Sequence, residues 1–168
     1  AATASLTWMI VEWVKFGKPS LIGIVTGMVA GLATVTPASG FIGPIGGIIL
    51  GVAGGLVCYG AVDLIRGRWK LDDSLDVFAV HGVGGILGSI ALPILGQASL
   101  GGALKDVVVM ESVLVQLYAV LVVVIWTACV SAFLLYVISK FAPLRVSEED
   151  EFEGLDITQH GERGYHGG

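Results

Sequence analysis

The stretch 72-DDSLDVFAVHGVGGILGSI-90 decides how the rest of the chain is read. His81 sits in a run of valines, isoleucines and glycines, and no charged residue follows it until Lys105. A titratable ring in so apolar a segment needs an environment that explains it, and the composition supplies one. Of the 168 residues, 55% are hydrophobic and 14% charged, and the mean hydropathy is +0.87. A water-soluble domain carries about 25% charged residues. The charges are also segregated, since seven of the fourteen acids lie beyond residue 147. This is the composition of an all-α polytopic membrane protein in a lipid bilayer. The net charge of −5 then reports an acidic tail, not the embedded part.

Little else competes with that reading. Cys58 and Cys129 fall in apolar runs and read as small packed hydrophobes, not as disulfide or metal ligands. Nothing in the pattern calls for a metal, a cofactor, an enzymatic centre or a nucleic acid. The opening AATASLTWMIVEWV has neither an initiator Met nor a basic region ahead of its apolar residues. It reads as the end of a hydrophobic helix and not as a signal peptide, so the chain is expected to be the C-terminal part of something longer.

A helix needs about 20 apolar residues to cross the hydrocarbon core. Residues 1–14 make a partial span. Full spans are expected at 19–35, 41–65, 75–95 and 108–141, the last long enough to tilt or extend past the bilayer. The connections give the orientation. Lys15, Lys18, Arg66, Arg68, Lys70, Lys140 and Arg145 fall on one side, and Lys105 alone on the other. The positive-inside rule puts the basic side in the cytoplasm. Residues 1–146 are therefore read as a helical bundle and 147–168 as a cytoplasmic acidic tail.

Glycines recur every four residues at Gly23, Gly27 and Gly31, and again at Gly43, Gly47, Gly51 and Gly55, with Gly46 and Gly54 beside them. That spacing lines one helix face. In lipid, small faces of this kind gain stability from close backbone approach. No Lys-Ser/Thr follows them, so they are not phosphate loops. Pro44 stands near the start of its helix, where a missing N–H costs least. Pro93 is expected to end the third full span and Pro143 the last.

At the third full span, Asp72, Asp73 and Ser74 open a helix, where acids suit the dipole and cap free N–H groups. Asp76, one turn further in, is less well explained by capping. His81 lies about two turns beyond Ser74, or roughly 10 Å along the axis. Val77, Gly84, Gly85 and Gly88 are expected on or near its face. An ionisable residue at that depth points to function. The plainer alternative is a core histidine bonded to a neighbouring helix. Neutral imidazole offers one donor and one acceptor, and dry surroundings favour that form. Such a ring suits a small polar solute or a proton, and a bare cation poorly. No second histidine occurs in a span, since His160 and His166 are in the tail. A two-ring site needs its other member from elsewhere.

The motifs DVFAVHG and GLATVTPASG, the stretch beginning WMIVEWVKFGKPSLIG, and the ending EGLDITQHGERGYHGG closely resemble the ammonium transporter family (Amt/Mep/Rh), over nearly the whole chain. The resemblance implies an eleven-helix subunit in a homotrimer, each subunit with its own pore for ammonium or ammonia. This chain would supply the end of the seventh helix and the eighth to eleventh, and the N-terminal half of the same transporter would be its partner. His81 would be the second of two pore histidines, Val77 an apolar lumen position, and Thr36 a residue of the TPA turn near the lumen. The implied mechanism deprotonates the cation, conducts neutral ammonia past the histidines and, in bacterial members, relays the proton. The implied location is multi-pass in the plasma (inner) membrane. Ala79 departs from the family, which usually has Gly in that place.

The tail reads SEEDEFE and then GLDITQHGERGYHGG. On composition it is a solvated acidic tail. The resemblance adds a docking role for Gly154, Leu155, Asp156, His160, Gly161 and Glu162, with a trimeric PII-type signalling protein as partner. Two further functions stand beside transport: an ammonium sensor (transceptor), and a non-transporting scaffold in which His81 is structural.

Overall fold

The structure is a computed structural model that describes residues 1–164; His166 lies outside the described residues. The chain divides into two compact units, Ala1–Leu121 and Val122 onward. In the first, α1 spans Ala2–Phe16, α2 Leu21–Val35 and α3 Pro44–Val62, the last running on into a π-helical stretch Asp63–Arg68. α4 opens with a π-helical turn, Phe78–Gly82, and continues as α-helix over Val83–Leu95. α5 spans Val109–Ile138 and crosses the boundary between the units. Four helical segments are long and apolar enough to cross a membrane: Leu21–Ala38, Pro44–Arg68, Phe78–Leu95 and Val109–Ile138.

The helix ends follow local chemistry. Ser20 caps α2 by accepting from the Gly23 N–H at 2.9 Å. Pro44 stands at the first position of α3. Gly17, at φ 77°, closes α1 with its N–H on the Trp13 carbonyl. Two proline expectations shift. Pro93 lies inside the final turn of α4, which continues to Leu95. The last long helix ends at Ile138, ahead of Pro143, and unwinds through hydrogen-bonded turns at Lys140–Ala142.

Glycine faces bring α1 to α4 together. A Cβ on Gly27 or Gly31 would press on Trp8 and Ala4 of α1, and one on Gly51 or Gly55 on Thr3 and Thr7. Each of these contacts would be 2.9 Å or shorter, closer than carbon packs. α1 thus lies on glycine surfaces of both α2 and α3. The other end of the four-residue series behaves differently. Gly47 faces open space, and Gly43 abuts the Gly101 backbone of a loop.

The tightest point is Thr34 on α2. It is fully buried, its hydroxyl donates to the Ala30 carbonyl at 2.7 Å, and Gly54 of α3 and Gly84 and Gly88 of α4 surround it. Any Cβ on Gly88 would collide with the Thr34 carbonyl. α5 is mostly apolar around its circumference, and none of its residues is buried. Cys58 is buried, whereas Cys129 on α5 is exposed.

In the second unit the tail is helical. Ser147 accepts from the Asp150 N–H at 3.1 Å and starts α6, Glu148–Glu153, with four acids in its first turn. α7 spans Leu155–His160.

Gly88→Ala is expected to destabilise the bundle by about 1–3 kcal/mol through overpacking. Gly85→Ala, on the same helix with open space around it, should be neutral or slightly stabilising. Thermal unfolding in detergent distinguishes the two.

Candidate functional site

Asp73 builds the start of α4. Its carboxylate accepts from the backbone N–H groups of Val77 at 2.7 Å, Phe78 at 3.0 Å and Ala79 at 3.3 Å. Three N–H groups that a helix start leaves unpaired converge on one anion, which the helix dipole also favours. Of the acidic opening, Asp73 is the residue whose carboxylate takes these three N–H groups.

Asp76 does something else. It is not inside the helix but just ahead of it, at φ 54°, a left-handed conformation that Asp tolerates better than most residues. One terminal nitrogen of Arg66 lies 3.2 and 3.3 Å from its two carboxylate oxygens. Only 14% of the Asp76 side chain is exposed. It lines a small cavity of about 230 Å³ with Trp8, Glu12, Tyr59 and Asp63.

His81 lies on the π-helical turn, exposed, in a groove of about 490 Å³. Ile65, Leu71, Val77 and Phe78 give the groove its apolar wall, and Asp72 and Asp73 also border it. The structure therefore brings His81 and Val77 together, with Asp72 and Asp73 beside them. It separates His81 from two of its expected neighbours, because Gly84 and Gly88 face Thr34 in the helix interface. The π-helical turn causes the difference. Bonds such as Val83 N–H to the Phe78 carbonyl hold five residues per loop instead of four, and the 3.6-residue register slips across the turn.

Thr36 is not among the residues lining this groove. It opens the short 3₁₀ turn Thr36–Ala38, is exposed, and donates its hydroxyl to the Leu32 carbonyl at 2.6 Å. The sequence reading missed Thr34, two residues earlier in the same motif. It also missed Glu12, whose carboxylate accepts from the Ser20 N–H at 2.7 Å and from Trp8 Nε1 at 3.3 Å, tying α1 to the start of α2. An acid one turn before the end of an apolar helix was the available signal for Glu12. Ala79 is fully buried, so its methyl is accommodated.

The six tail residues singled out from sequence form one element. Gly154, at φ 108°, precedes α7, Leu155 and Asp156 start it, and His160 ends it. Gly161, at φ 66°, closes it with its N–H on the Ile157 carbonyl, and the Glu162 N–H reaches the Asp156 carbonyl at 2.8 Å. The Gly161 bond to Ile157 is that of a helix end closed by a left-handed glycine.

The comparisons with known proteins bear on this geometry. The model of the Ammonium Transporter Family matches residues 1–165. An ammonium transporter of Aquifex aeolicus is 39% identical over 98% of this chain and 39% of its own length. The ammonium transporter Amt1 of Archaeoglobus fulgidus is 42% identical over 98% of this chain and 42% of its own. The chain thus spans about two fifths of the length of these curated relatives. Among solved structures, Saccharomyces cerevisiae Mep2 superposes with a TM-score of 0.76 at 30% identity, covering 88% of this chain and 35% of that one. A structure described as a sensor Amt protein gives 0.83 at 26% identity, covering 94% and 39%.

Asp73→Ala removes the acceptor shared by three N–H groups and is expected to cost about 1–2 kcal/mol. Asp73→Asn, which keeps an acceptor oxygen, should recover part of the loss. Thermal unfolding of the two variants checks the order.

Proposed function

The chain belongs to the ammonium transporter family, and from that membership we propose that it takes part in moving ammonium across a membrane, with ammonia passing along the His81 groove. The observation that carries the proposal is the position of His81, exposed on a π-helical turn in an apolar groove and not buried in the helix interface. π-turns of this kind recur at functional sites. A histidine with only a structural role would belong in the interface that Gly84 and Gly88 occupy.

The chemistry follows from hydration. A small cation loses several kcal/mol on leaving water for an apolar passage, and neutral ammonia far less. Ammonium therefore gives up its proton to bulk water before the apolar section, and the imidazole hydrogen-bonds the neutral ammonia through its donor and its acceptor. Val77 supplies apolar wall. We assign Thr36 to the turn that ends α2, not to direct contact with solute. Asp73 fixes the helix start that holds the ring.

The same reading places the chain as the later helices of an eleven-helix subunit. The length of the relatives that it does not span would provide the other pore histidine, and three such subunits would form the oligomer. Residues 1–146 act as the bundle and 147–168 as a cytoplasmic tail in the plasma (inner) membrane, following the basic residues of alternate connections. α7, closed at its C-terminal end by Gly161, is the segment offered to a PII-type signalling protein.

A second reading is favoured by the likeness to the sensor Amt structure: the same bundle reports ammonium and carries little flux. Methylammonium uptake separates the two. With the protein at its natural full length, His81→Ala is expected to lower uptake at least about tenfold, a barrier change of about 1.4 kcal/mol, at unchanged membrane abundance. Undiminished uptake would remove His81 from the pathway. Saturable ammonium binding to the unsubstituted protein without flux would favour the sensor. Deleting residues 147–168 is expected to abolish co-purification of a PII-type protein; retained binding would put its docking site elsewhere.

A further inference from the structure

We infer that Arg66 and Asp76 form a positioning pair that holds the His81 turn in place; this rests on the reading of His81 as a pore residue. Arg66 lies in the π-helical stretch that ends α3, and Asp76 two residues before the π-helical turn Phe78–Gly82 that begins α4. Two irregular helix ends are thus joined by one ion pair across a ten-residue connection.

Three features make the pair more than a surface contact. First, Asp76 is held at φ 54°, a sparsely populated conformation for a residue with a side chain, and such strain persists only where surrounding contacts enforce it. Second, the Asp76 carboxylate is mostly shielded from solvent while the Arg66 side chain is about half exposed at 49%, so the pair is partly rather than fully screened by solvent. Third, the backbone of Asp76 is built into the turn that carries His81. The Asp76 N–H donates to the Asp73 carbonyl at 3.0 Å, and the Val80 N–H donates to the Asp76 carbonyl at 2.8 Å. The left-handed turn at Asp76 is what folds the chain back so that Asp73 reaches the N–H groups of Val77, Phe78 and Ala79.

The chain of constraint therefore runs from Arg66 to Asp76, from Asp76 to the Asp73 cap, and from the cap to the turn bearing His81. Neither Arg66 nor Asp76 lines the His81 groove, so both act on it through the backbone. π-helical turns are rare, single-turn interruptions of α-helix, and this one is anchored at its start by the Asp73 cap and the Asp76 carbonyl. Releasing Arg66 lets the turn revert toward α-helical register, which would rotate the imidazole away from the groove.

The test is a double-mutant cycle at natural full length, reconstituted in liposomes, with Asp76→Asn, Arg66→Met and the two combined. Asn tolerates the left-handed conformation, so Asp76→Asn removes the charge and leaves the backbone preference. Each single variant is expected to lower the maximal rate of methylammonium uptake about fivefold with little change in half-saturation, and the double variant to be no worse than either single. Arg66→Lys should recover part of the rate. Thermal unfolding of each variant controls for loss of fold. Multiplicative losses in the double variant, an unchanged rate in either single, or a rate loss that only follows the loss of fold would overturn the inference. Absence of flux in the unsubstituted protein would instead overturn the pore reading on which it rests.

Discussion

The packing of Thr34 against three glycines is the contact on which the rest of the bundle depends. In lipid, helices gain little from hiding apolar surface from one another, so stability comes from close fit. Thr34 makes that fit three-way. Its side chain fills the space left open by Gly54 of α3 and by Gly84 and Gly88 of α4, and its hydroxyl is satisfied within its own helix by Ala30. No polar group is stranded by the burial. One residue of α2 thus sets the distance to two other helices at once, and α1 repeats the device through Ala4 and Trp8 on Gly27 and Gly31.

Fixing α4 by Gly84 and Gly88 has a consequence for the residues before them. Had α4 been a regular α-helix from its start, His81 would share their face and would point at α2. The π-helical turn Phe78–Gly82 slips the register, and the imidazole opens into the groove while the glycines keep their contacts. Interface and groove would otherwise compete for one helix face. The slip gives each its own, and it is affordable because Asp73 binds three of the N–H groups at the helix start.

Membrane character, the number of crossing segments and the close-packing role of most glycines were legible because each depends on composition or on a spacing of four. The apolar helical segment Phe78–Leu95 lies inside the stretch 75–95 expected as a span. The π-turn was not legible. It is a change in backbone hydrogen bonding with no residue type of its own, and periodicity placed Gly84 and Gly88 beside His81 instead of behind it. Thr34 and Thr36 lie in one motif, and sequence offers nothing to say which of two threonines faces the interface. Asp72, Asp73 and Asp76 are alike as letters. Their roles separate only once Arg66, ten residues before Asp76, is brought back by the loop. The tail was read from composition as a solvated acidic segment, and its two short helices, begun by a Ser cap at Ser147 and ended by Gly161, were not anticipated although those residue types are the signals that mark helix ends.

The groove also bears on which form of the solute is compatible with it. A cation passing His81 would need a nearby anion whose oxygens are not already engaged. The oxygens of Asp73 point to the backbone N–H groups of Val77, Phe78 and Ala79, so its charge already balances the helix end. Asp76 faces the other cavity and is matched by Arg66. Asp72 and Asp73 lie at the border of the groove, and the rest of its wall, formed by Ile65, Leu71, Val77 and Phe78, offers a cation no replacement for its water. An imidazole in that setting favours a neutral solute with a donor and an acceptor of its own. On the proposed reading, ammonium is selected over other cations because it can lose a proton before passage, whereas ions that cannot lose one meet the full desolvation cost.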